Sequence, residues 1–151
     1  MTLTQILESQ VSVLEQMLLI SEKQLHIVQL EDMTLLLQLL GRKDKMCEAF
    51  KELERQLEPY KNIEPQDRKW ESEQERLACD AVVRRRRELR DAILELDRQS
   101  ETELARQMHD TQKQMRKMDT SGKAAAVYVK QNIVPVSPKS LSPHRFDFFS
   151  E

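Results

Sequence analysis

Residues 67–118 read DRKWESEQERLACDAVVRRRRELRDAILELDRQSETELARQMHDTQKQMRKM. This run contains neither Pro nor Gly, and its apolar residues return every three or four positions. Leu89, Ile93 and Leu96, then Leu104, Met108, Met115 and Met118, fall on one stripe of a helix. Asp67 stands where an N-cap belongs, just after Pro65, and Gly122 follows the last periodic Met. The spacing therefore predicts one helix over about 67–119. At 1.5 Å per residue such a helix is ~80 Å long. That exceeds the width of a compact domain built from 151 residues. Part of the helix is expected to project, or to meet a partner.

The composition agrees with helices. A third of the residues are charged, 5% are aromatic and only 2 are Gly, so glycine turns and aromatic strand runs are scarce. The formal net charge of -2 argues against a chain that binds nucleic acid over its whole surface. The balance is uneven: residues 1–60 hold 6 basic and 10 acidic side chains, residues 61–131 hold 16 and 14. Cys47 and Cys79 lack metal-site spacing and read as free thiols at half-buried helix positions. The first residues, MTLTQILESQ, lack a basic region followed by an apolar run, and Leu35–Leu40 is too short to span a bilayer. A cytoplasmic protein without membrane insertion is expected.

Upstream of the long run, Thr4 is a candidate cap. Leu7, Val11, Leu14, Leu18, Ser21, Leu25 and Val28 then alternate steps of four and three, which predicts a helix over about 4–30. Ser21 loosens that seam. Asp32 can cap a second helix, over about 33–58, with a seam of Leu36, Leu39, Lys43, Met46, Phe50, Leu53 and Leu57. The two seams are out of phase by about one position, which favours a turn near residues 30–33 over one continuous helix. Gly41 either admits a close neighbour or is simply tolerated. Pro59 and Pro65 mark the firm break. Ser100 and Glu103 have capping-box spacing and suggest a kink or restart.

Chemistry is sparse. His26, His109 and His144 are isolated, so no metal site and no cofactor is expected. Two distant glycines cannot form a phosphate loop, and no local nucleophile signature occurs, so the chain reads as no enzyme. Arg84–Arg87 resembles a phosphate-contacting patch. Four successive helical residues nevertheless point in four directions, and Glu88, Asp91 and Glu95 lie within pairing reach; nucleic-acid contact is not expected. Beyond residue 100 the stripe becomes Leu104, Met108, Thr111, Met115 and Met118. Met suits a surface that adapts to more than one shape, and it also fills ordinary seams. Residues 122–131 can continue as a short helix. Residues 132–151 carry Pro135, Pro138 and Pro143 among serines and are expected to be disordered, with Phe146, Phe148 and Phe149 near their end.

The whole pattern reads as all-α: an antiparallel hairpin or three-helix bundle over 1–131, with a long C-terminal helix and a 132–151 tail. Asp32 opens Met-Thr-Leu-Leu-Leu-Gln-Leu-Leu-Gly-Arg-Lys, Phe50 opens Lys-Glu-Leu-Glu-Arg, and a Pro-containing break leads to a charged helix closing on Gly122-Lys-Ala-Ala-Ala-Val-Tyr128. This order resembles the FlgN-like flagellar type III export chaperones over roughly residues 5–130. The resemblance implies a small cytoplasmic helical protein that binds the terminal helical segments of hook-associated (hook–filament junction) proteins before export. It implies client binding through Leu104, Met108, Thr111, Met115 and Met118, and docking to the flagellar export gate through Tyr128. The Pro/Ser tail departs from the family's compact ending. A self-associating coiled-coil protein, including a homodimer, remains the rival reading.

Overall fold

The computed structural model describes residues 2–63 and 68–121, and these are helical apart from caps and connections; no strand occurs among them. The helices are α1 (Leu3–Gln29), α2 (Met33–Lys61) and α3 (Glu73–Ser121). The all-α class is as expected. The chain divides into two compact units, Met1–Asp97 and Arg98–Glu151. Pro65, Asp67, the 122–131 extension, Tyr128 and the 132–151 tail lie outside the described residues.

Each helix starts where a side chain can satisfy its first free amides. Thr2, rather than Thr4, caps α1: its hydroxyl accepts from the Gln5 N–H, and the Gln5 side chain accepts from the Thr2 N–H. Asp32 caps α2 by accepting from the Leu35 N–H at 3.0 Å. The turn between α1 and α2 is therefore real, and Glu31 takes the left-handed conformation at φ 59. α3 begins later than the sequence suggests, since Arg68–Ser72 is not helical. There the Ser72 hydroxyl accepts from the Glu75 N–H, while the Glu75 carboxylate accepts from the Glu71 N–H. Pro59 does not stop α2, which continues to Lys61 and is capped at Asn62. In the last turn its missing N–H removes one helical bond and leaves few later ones to disturb. No restart occurs at Ser100 either: α3 runs through it, and Glu103 bonds Arg106 and Gln107 instead of a cap.

Within Met1–Asp97 the helices run up, down and up. Gln10 and Gln24 of α1 face Glu54 and Lys43 of α2, so α1 and α2 are antiparallel. Arg86 pairs with Glu54, and Asp97 with Lys43, so the first part of α3 is antiparallel to α2. The base is apolar: Ile6, Leu7, Leu57 and Cys79 are buried, with Leu3, Leu53, Tyr60, Trp70, Val82 and Val83 against them. Between the Glu54 and Lys43 levels lie buried Leu14, Met17, Cys47, Phe50, Leu89 and Ile93.

The inward positions of α1 are Leu7, Gln10, Leu14, Met17, Ser21, Gln24 and Val28, an unbroken heptad pattern. Val11, Leu18 and Leu25, expected in the seam, are only half-buried. The true stripe passes through two glutamines, because each finds a polar partner on α2, half-buried Glu54 for Gln10 and buried Lys43 for Gln24. A hydrophobicity count places them outside. Similarly Cys47 is buried where Met46 was expected, and Asp97 where Leu96 was expected.

Candidate functional site

The expected client stripe is on α3 within Arg98–Glu151. Leu104, Met108, Thr111, Met115 and Met118 are all half-buried, and none is buried. The Thr111 hydroxyl donates to the Gln107 carbonyl at 2.9 Å, so its polar atom is satisfied within the helix. Thr102 and Thr120 make the same backbone bond, to Arg98 and Arg116. On the far face Arg106 bridges Glu103 and, at 2.8 Å, Asp110. The Arg106 hydrogen bond, then that of Gln107, holds the Glu103 carboxyl below its ordinary range. The structure thus places the five expected residues on one helical strip; Tyr128 lies outside the described residues.

Sequence reading missed a second feature, a polar layer inside the Met1–Asp97 bundle. Lys43 Nζ lies 2.5 Å from Asp97 Oδ1 and donates to Gln24 Oε1 at 3.0 Å. The Ser21 hydroxyl donates to the same Asp97 oxygen at 3.1 Å. All four side chains are buried. Burial pushes the Asp97 carboxyl above its ordinary range, opposed by the Lys43 charge and by hydrogen bonds from Lys43 and Ser21. Asp97 Oδ2 and, separately, Ser100 Oγ are buried without a hydrogen-bond partner among the described residues. The signal was present. A hairpin turning near residue 31 brings Ser21 and Lys43 to one level, and each interrupts an apolar seam. Their partner was hidden because Asp97 adjoins Leu96, which satisfies the periodicity.

One level down, Glu54 accepts from Gln10 and pairs with Arg86 and Lys61. Burial raises its carboxyl, but the Gln10 and Lys61 hydrogen bonds and the Arg86 charge outweigh this and hold it below its ordinary range. Arg86 also lies 5.6 Å over the Phe50 ring. The arginine run is therefore split: Arg86 turns into the bundle, while Arg84, Arg85 and Arg87 are exposed. This is the divergence that helical geometry required.

The described residues hold no group of three His, Cys, Asp or Glu able to bind a metal ion. Cys47 and Cys79 are free and buried, deeper than expected. Burial drives the Cys47 thiol up to about 11 and raises that of Cys79, so both are poor nucleophiles near neutral pH. No described helix is long and apolar enough to cross a membrane. No family model, curated protein or solved structure matches the chain. The fold alone defines the class: an all-α protein whose first unit is a three-helix bundle.

Proposed function

We propose that this chain is a non-enzymatic cytoplasmic chaperone of the flagellar export type, seating the amphipathic end helix of a hook-associated protein on the late stripe of α3. One observation carries the reading. On α3, Cys79, Leu89, Ile93, Asp97 and Ser100 are buried, yet no side chain from Leu104 to Met118 is. The apolar period continues past the point where burial ends, which suits helix-in-groove recognition. Covering Leu and Met side chains contributes roughly 25 cal/mol per Å² of apolar area. A narrow stripe keeps that total small enough for release. Tyr128 is the proposed contact with the export gate.

The test removes residues 104–131 from the full chain. Binding of the recombinant terminal segment of a hook–filament junction protein should disappear, while helical signal and the unfolding transition of the first unit persist. If the intact chain ignores that segment and the deletion instead dissolves an oligomer seen by light scattering, the self-associating coiled-coil reading replaces this one.

A further inference from the structure

The chemistry flanking the stripe narrows what it can hold. With Met108 and Met115 at heptad position a, and Leu104, Thr111 and Met118 at d, the e positions are Ala105, Gln112 and Asp119. The g positions are Gln107 and Gln114. In paired helices e and g commonly carry the Glu and Lys residues that select a partner. Here four of the five are uncharged. The other charges from residue 103 onward, Glu103, Arg106, Asp110, Lys113, Arg116 and Lys117, occupy b, c and f on the other side. This pattern differs from that of the first unit, where α3 meets α2 through the Arg86–Glu54 pair.

Resting on the function proposed above, we infer that the stripe takes a helix of defined chemistry: apolar a and d positions flanked by uncharged polar residues, Gln, Asn, Ser or Thr. An amide both donates and accepts, so Gln112 and Gln114 can match such flanks without a fixed orientation. A partner with Glu or Lys at its flanks would surrender part of its hydration against Ala and amides and meet a flanking charge only at Asp119. Because few rim charges meet, capture depends little on ionic strength.

The test uses the full chain and two synthetic helical peptides with identical Leu a/d positions, one flanked by Gln and Ser, the other by Glu and Lys. Fluorescence anisotropy at low and high salt gives Kd. The Gln/Ser peptide should bind at least ~10-fold more tightly, with less than ~2-fold change across the salt range, and Met115→Asp should lose it. The double variant Gln112→Glu with Gln114→Glu keeps the stripe apolar and should turn preference toward a Lys-flanked peptide, now salt-sensitive. Equal binding of both peptides, each abolished by Met115→Asp, overturns the inference and leaves the client seat standing. Binding of neither, or a dimer of the chain lost in Met115→Asp, overturns both.

Discussion

In α3 the turns up to Asp97 and those after it are both amphipathic and differ in content. The earlier ones bury Cys79, Leu89 and Ile93 and end on a charge held by Lys43. The later ones carry Leu, Thr and Met, half-buried, with amides at the edges and the charges set behind. Periodicity makes an amphipathic helix in both places. What separates them is whether a side chain has been withdrawn from water, and that sets where a substitution acts: on stability in the first, on binding in the second.

The sharpest way to break the contrast is at the polar layer. Asp97→Leu leaves Lys43 charged and buried, and the urea transition should shift by about 3–5 kcal/mol. Lys43→Met with Asp97→Leu removes both charges and should restore wild-type stability or exceed it. The pH dependence has a definite sign. A raised native value means that the folded state holds the Asp97 proton more firmly than the unfolded chain. Its contribution is complete below the unfolded value of about 3.9 and declines as pH rises through the native one. The double variant should lack that decline in a series of urea midpoints against pH.

Next in size is a matched pair of truncations. Ile93→Ala empties a fully buried site and should lower stability by about 2–5 kcal/mol. Met115→Ala, on the half-buried stripe, should stay within about 1 kcal/mol in the same measurement while weakening peptide capture. Glu54→Gln comes third. Its carboxyl is held low, so its stabilisation exists above the ordinary carboxylate value and is lost as pH falls through the native one. The variant should flatten that acid limb, opposite in slope to the Asp97 effect. Smallest is Gly41→Ala. A Cβ there meets nothing within 4 Å, so the helix should gain up to about 1 kcal/mol by thermal unfolding.

The helices were readable because caps and breaks are local. Asp32 announced α2, and the Pro59–Pro65 region announced the end of it. The start of α3 was not readable, because the run after Asp67 holds no Pro or Gly to delay a helix, yet Arg68–Ser72 is not helical. In the structure Ser72 and Glu75 make the bonds that precede the first turn. The client stripe was legible as a pattern of residue types, since Leu and Met at helical spacing need no tertiary knowledge. The inward glutamines and Asp97 were not. A polar residue earns an interior place through a partner on another helix, and one helix's pattern cannot display that partner.

The two buried thiols offer an internal clock. Cys79 belongs to the base cluster with Ile6 and Leu57, while Cys47 lies between the Glu54 and Lys43 levels. An alkylating reagent reaches either sulfur only during an opening excursion, so the two labelling rates, resolved by mass spectrometry, time exposure at two heights of one bundle. Equal rates mean the unit opens as a whole, and faster labelling of Cys79 means it unzips from the base.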